Sequence, residues 1–180
     1  PLTQCGGNRM PVSITAYYGA QLSGVTARVG SHWRLSCDQC MNKSYINDEL
    51  YFIWSKGDGD QQYFKKPNSS AAYYEDLSGL SLKLTDNGTY TEIEDKGGTV
   101  MRFESPQDAL DDTGRLLSIT DSCGNTNTFQ YGDWRLERIT DGAGRVTQFT
   151  YSGNMLTGIL APGETAPVTL EYYNNMRLNG

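Results

Sequence analysis

Apolar residues in this chain fall into short runs, not long stripes. Tyr51-Phe52-Ile53-Trp54, Val100–Phe103, Leu116–Ile119, Phe129–Tyr131, Leu136–Ile139, Val146–Tyr151 and Leu156–Leu160 are separated by clusters of Gly, Asp and Asn. The runs are rich in β-branched and aromatic side chains, and turn-formers bound them, which predicts strands. A helix is disfavoured, because an Asp-x-x-Gly interrupts each candidate before a 3.6-residue period can establish itself. Near the front, Val12, Ile14 and Ala16 alternate with Ser13 and Thr15, predicting a strand over 10–18. Trp33, Leu35 and Cys37 alternate likewise, predicting a second strand over 31–37 with those three on the core face. Residues 19–30, with Leu22 and Val25, read as a loop.

One pattern occurs twice in tandem. Leu116, Ile119, Asp121, Gly124, Phe129 and Tyr131 recur 20 residues later as Leu136, Ile139, Asp141, Gly144, Phe149 and Tyr151. A fixed period with residue types held in register marks a repeat architecture. Within the second copy, Asp141-Gly142-Ala143-Gly144 has the chemistry of a type I turn: Asp accepts local N–H bonds and Gly tolerates positive φ. Folding about that turn sets Ile139 opposite Val146, Leu136 opposite Phe149 and Trp134 opposite Tyr151. Leu136 and Ile139 are an odd number of residues apart, so a regular strand sends them to opposite faces. Either both faces are apolar near the turn, or a bulge, for instance at Gly144, shifts the register.

The same unit is traceable in both directions. Ile93, Asp95, Gly98 and Phe103 match Ile119, Asp121, Gly124 and Phe129, and Trp54, Gly59 and Phe64 match Ile93, Gly98 and Phe103. Residues 67–88 insert a further short strand pair. Downstream, Leu156 and Ile159 keep the spacing, followed by a longer turn over 161–167, and 176–178 opens a fourth unit. Asp58, Gly59, Asp95, Gly98, Asp121, Gly124, Asp141 and Gly144 are therefore expected as structural turn residues. The expected organisation is a flexible lead-in over 1–9 and a single β domain over 10–180. Its parts are N-terminal strands (10–44), irregular hairpins (45–113) and tandem repeats (114–178). The fold expected is all-β: an antiparallel sheet of stacked hairpins, curved or spiralling and open.

Composition narrows the functional classes. A net charge of −6, with charges interspersed and no basic stripe, disfavours nucleic-acid binding through phosphate contacts. No apolar run has the length of a membrane-spanning helix. The chain begins at Pro1 and the pattern is still running at its end, which suggests an excised piece of a longer protein whose cut edges invite self-association. Cys5, Cys37, Cys40 and Cys123 fit free thiols, a disulfide or, with only one close pair, a zinc site.

Residues 114–131 and 132–151 resemble the unit of the RHS/YD-repeat family, close to GRLxxITDxxGRxTxFxY, and 152–172 resemble it with a degenerate turn. The front also resembles the family's N-terminal segment: a tyrosine-bearing strand, Met10–Tyr18, precedes Gly30-Ser-His-Trp33-Arg34-Leu35. His32 stands where the family usually has a second Gly, which implies a backbone without positive φ there. The resemblance implies a β-shell that encloses or displays a C-terminal passenger, such as a toxin domain, in a secreted or bacterial cell-surface protein. Further repeats and that passenger are the implied partners. Adhesion or carbohydrate binding is the alternative it implies.

Candidate chemistry is sparse. With His32 as the one histidine, triads and His-rich metal sites are disfavoured. The recurring aspartates sit in equivalent turns, not across a cleft as glycosidase carboxylates do. Asp58-Gly59-Asp60 and Asp111-Asp112 lack the ligand spacing of an EF-hand loop. No catalytic residue, cofactor or metal is assigned. Trp54, Tyr73, Tyr74 and Trp134 are the candidates for stacking on sugars, set against cross-strand packing as their structural role. The function expected is a non-enzymatic structural module.

Overall fold

Alternating β-branched and aromatic residues, punctuated by glycine turns, give strands throughout the computed structural model, which describes residues 3–4, 10–108, 113–173 and 177–178. Among these there is no helix. In chain order the strands are β1 (Thr3–Gln4), β2 (Ser13–Ile14), β3 (Ala16–Tyr18), β4 (Trp33–Leu35), β5 (Cys40–Ile46), β6 (Glu49–Ser55), β7 (Gln61–Lys65), β8 (Tyr74–Asp76), β9 (Lys83–Asp86) and β10 (Tyr90–Glu94). They continue with β11 (Val100–Glu104), β12 (Thr113–Thr120), β13 (Thr126–Gly132), β14 (Arg135–Thr140), β15 (Val146–Ser152), β16 (Met155–Leu160), β17 (Val168–Thr169), β18 (Tyr172–Tyr173) and β19 (Arg177–Leu178). All pairings described are antiparallel. The chain divides into two compact units, one of residues 1–38, 57–59 and 125–180, the other of 39–56 and 60–124.

The second unit is a closed barrel of eight strands, β5 to β12, each paired with its neighbour in sequence. Closure comes from β12, which pairs with β11 through Leu116–Thr120 and with β5 through Thr113–Arg115. The open, spiralling sheet expected from the repeats is thus corrected for residues 40–120: the hairpins curl until first and last meet, which leaves no free edge. Eight strands enclose a space that side chains just fill. Met41, Phe52, Phe64, Leu84, Ile93, Phe103 and Leu116 fill it, and all are fully buried. Gly114 permits the seam. A Cβ there would lie 1.9 Å from the Glu104 carbonyl oxygen, so any larger residue would push β12 off β11. Across the seam Arg115 forks onto Glu104 at 2.7 and 2.6 Å, and the Thr113 hydroxyl donates to Asn42 Oδ1 at 2.9 Å.

The other unit contains a meander, β13 to β17, the hairpins β3–β4 and β18–β19, and the β1–β2 pair, in which Thr3–Gln4 of the expected lead-in pair with Ser13–Ile14. The expected register of β14 on β15 is off by one: Ile139 pairs with Thr147, and Val146 with Thr140. The reason is the turn: Asp141 N–H donates to Arg145 O and left-handed Gly144 donates to Asp141 O, so Asp141 faces Arg145 and the strands pair from there. A separate bulge lies in β14 opposite β13. Gln130 pairs with Arg138 and Tyr131 with Leu136, so Glu137 is the extra residue. The bulge returns Leu136 and Ile139 to one face, and both are fully buried. Thr157 is the extra residue in β16, between Leu156 and Gly158, and Leu117 is the extra residue in β12. The 20-residue period is therefore a period of bulges, each flanked by the Leu-x-x-Ile pattern. Tyr172 pairs with Leu178 in β18–β19, 22 residues after Leu156, and Met176 of the expected fourth unit lies outside the described residues.

A segment read from sequence only as loop organises this unit. Residues 25–29 run as a strap whose carbonyls serve successive bulges: Leu136 N–H donates to Thr26 O at 3.1 Å, and Leu156 N–H donates to Arg28 O at 2.9 Å. Two residues along the strap thus correspond to 20 along the repeats. Ala27 and Val29, between and beyond those carbonyls, are fully buried. Asp38, itself fully buried, pins the strap: it accepts from Val25 N–H at 2.7 Å, Thr26 N–H at 2.9 Å and the Thr26 hydroxyl at 2.8 Å. His32 departs from expectation, with φ of 70° where no positive φ was anticipated. Its Nδ1 lies 2.8 Å from Ala20 O, and its carbonyl accepts from Gly19 N–H, contacts that hold the left-handed turn.

Candidate functional site at the turns and exposed aromatics

The recurring aspartates occupy their turns as local acceptors. Asp141 Oδ1 accepts from Ala143 N–H and Arg145 N–H, both at 2.9 Å, while Arg145 Nε donates to Oδ2 at 2.8 Å. Gly144, φ 80°, donates its N–H to Asp141 O at 2.8 Å, closing a type I turn with a left-handed fourth residue. Burial alone would raise the Asp141 carboxyl, but the side-chain bonds of Arg145 and the N–H groups of Arg145 and Ala143 outweigh it and hold the group below the usual carboxylate range. Asp95 follows the same plan with Thr99 N–H at 2.9 Å, which lowers its carboxyl, and Gly98 at φ 80°. Asp121 accepts from Cys123 N–H at 2.9 Å, with Gly124 at φ 83°. Asp58 is exposed beside Gly59, φ 95°. The third tandem turn, Ala161-Pro162-Gly163-Glu164, has Pro second, positive-φ Gly third and Glu164 N–H donating to Ala161 O, which is type II geometry and needs no aspartate.

The repeat tyrosines close the bulges. Tyr151 O–H donates to Leu136 O at 2.7 Å, and Tyr172 O–H donates to Leu156 O. Each bulge leucine thereby gives its N–H to the strap and its carbonyl to the next repeat's tyrosine, so neither polar group is left unpaired inside. Burial, then the neighbouring Cys37 and Asp38, pushes the Tyr151 phenol up, and burial pushes Tyr172 up to about 12. Both hydroxyls stay protonated donors.

Four aromatic rings were candidates for sugar stacking, and two of them are corrected. Trp54, 9% exposed, is packed in the barrel with its Nε1–H donating to Gln39 at 3.0 Å. Tyr74, also 9% exposed, meets Phe52 edge-on at 4.8 Å between centroids. A ring face enclosed by protein has no room for a sugar. Tyr73 is half-buried, its hydroxyl on Glu75 at 3.2 Å and Lys83 5.3 Å above its ring. Trp134 remains, 37% exposed in the turn between β13 and β14. Arg28 lies 5.0 Å and Arg135 5.8 Å from its ring centroid, and Arg135 also donates to Gly153 O at 2.6 Å. Cation–π contacts of this kind brace long side chains against a surface.

Sequence reasoning missed Asp38, the strap and the tyrosine clamp. Asp38 and Thr26 are 12 residues apart, a spacing with no local signature. The tyrosines were visible as a period, yet nothing in a period says that a hydroxyl will reach a carbonyl. Cys37, Cys40 and Cys123 are free thiols, the first two buried; Cys5 lies outside the described residues, as do Asp111 and Asp112. Among the described residues no three His, Cys, Asp or Glu side chains gather as metal ligands would. No protein-family model and no curated protein matches the chain. What the geometry defines is a class: an antiparallel all-β protein, one unit closed into an eight-strand barrel and the other carrying bulged hairpins against a strap.

Proposed function

We propose that this chain is a non-enzymatic structural module, part of an RHS/YD-repeat β-wall that encloses or displays a passenger domain in a secreted or cell-surface protein. The observation that carries the reading is the repeated construction at Leu136–Tyr151 and Leu156–Tyr172: the residues that recur are those that shape backbone. A repeat whose invariant positions are bulge, clamp and turn propagates a surface, and each added hairpin buries apolar area that it could not bury alone. The barrel of residues 40–120, which precedes β13 in the chain, takes in the first strand of the tandem repeats and has no free edge, suits an atypical terminal element of such an array. Adhesion through glycans is the second reading, favoured by the exposed ring of Trp134.

The test is a turnover screen of the chain against ester, glycoside, peptide and phosphoester substrates, run beside Asp95→Asn, Asp121→Asn and Asp141→Asn. The scaffold reading expects no turnover and lowered melting temperatures in the variants. Turnover that Asp141→Asn abolishes without changing the melting temperature would overturn it.

A further inference from the structure

We propose that Arg28, braced on Trp134, binds an oxyanion group (carboxylate, sulfate or phosphate) of a small ligand seated in the cavity beside the strap. This goes beyond the scaffold reading and does not depend on it. The cavity has a volume of about 310 Å³ and is lined by Ser23, Gly24, Arg28, Gly30, Ser31 and Met155. The lining residues are one arginine, two serines, two glycines and a methionine, with no acidic residue among them.

Three features make Arg28 available to a ligand. Lys43, Lys65, Arg102, Arg115 and Arg145 each sit on an aspartate or glutamate, whereas Arg28, like Lys56, Lys66, Lys83 and Arg135, lies over a ring without an ion pair among the described residues. Arg28 is exposed, and among the described residues no acidic side chain pairs with it; its recorded side-chain contact is the Trp134 ring. A guanidinium stacked on an indole keeps its in-plane N–H donors free to fork onto an oxyanion. Second, Arg135 approaches the same ring, so two positive groups share one indole, an arrangement that an added negative charge would relieve. Third, the platform is rigid. Arg28 O is tied to Leu156 N–H, and the neighbouring Val25 and Thr26 are tied to Asp38. Gly24 is fixed close to the strap as well: a Cβ on it would lie 2.3 Å from Ala27 O. A donor held by its backbone and by a ring loses little freedom on binding.

The experiment is isothermal titration of the intact chain with four probes: inorganic sulfate, glucuronate, a sulfated disaccharide and a neutral disaccharide of the same size. Each is measured for the wild type, Arg28→Gln and Arg28→Lys, with circular dichroism verifying that the variants fold. The proposal expects the acidic probes to bind and the neutral one not to. Binding should weaken as salt is raised, since the contact is electrostatic. Arg28→Gln should weaken it by about tenfold or more, and Arg28→Lys by less. Saccharide acids binding more tightly than inorganic sulfate would identify a sugar acid as the ligand source; equal affinities would identify the bare oxyanion. The proposal is overturned if no acidic probe binds, if the neutral disaccharide binds equally well, or if Arg28→Gln leaves affinity unchanged.

Discussion

Asp38→Asn strikes the pin that holds the strap. The wild-type carboxylate accepts three hydrogen bonds at 2.7, 2.9 and 2.8 Å in a fully buried position. Asparagine keeps one oxygen and turns an NH₂ toward a backbone N–H, so at least one bond becomes a donor facing a donor. Bonds to a charged acceptor are worth about 1.5–3 kcal/mol each, and stranding a buried donor adds to the loss, so the expected destabilisation is about 2–4 kcal/mol. For a chain of this size that lowers the melting temperature by about 5–15 °C. The assay is thermal unfolding by circular dichroism, with amide hydrogen exchange read at single residues. Val25 and Thr26 should lose protection directly. Leu136 and Leu156, which donate to the strap, should lose it with them although neither touches Asp38 through any bond given above. A melting temperature within about 1 °C of wild type, with all four amides still protected, would refute the argument.

Tyr151→Phe removes the donor to Leu136 O and should cost about 1–2 kcal/mol in chemical denaturation, with Tyr172→Phe acting alike at Leu156 O. The folded-state depression of Asp141 means that its contribution is present above its unfolded value of about 3.9 and is lost as pH falls through the lower folded value. Melting curves should therefore fall more steeply on acidification for the wild type than for Asp141→Asn; parallel curves would remove that role. Two glycine substitutions should separate backbone strain from crowding. Gly144→Ala places a Cβ in open space at φ 80° and should cost about 1–2 kcal/mol. Gly114→Ala places it 1.9 Å from Glu104 O and should open the barrel seam, seen as lost protection along β12.

Much of the fold was legible because two codes are local. Asp-x-x-Gly turns at 95–98, 121–124 and 141–144 give φ near 80° at each glycine, as Asp and Gly chemistry require. Alternation located Trp33–Leu35, and apolar runs between turn-formers located strands from β6 to β16, while the single strand read over 168–172 is two, β17 and β18. The odd separation of Leu136 and Ile139 left a bulge as one of two readings, and sequence did not choose between them, since an extra residue such as Glu137 carries no special side-chain chemistry. Closure of the barrel was not legible. It depends on Gly114 admitting β11 closely and on curvature summed over eight strands, and no single residue encodes that. The candidate site was half legible: Trp134 was named for its ring, while Arg28 lay in a stretch read only as loop, joined to it by contacts over a long sequence separation.

The recurring residues encode one backbone construction, in which each bulge leucine is handed to the next carbonyl of the strap. Scalar couplings measured across hydrogen bonds by NMR test it most directly. A coupling is expected from the Leu136 amide nitrogen to the Thr26 carbonyl carbon and another from Leu156 to Arg28. Couplings from those amides to cross-strand carbonyls of the ladder, or none to the strap, would contradict it.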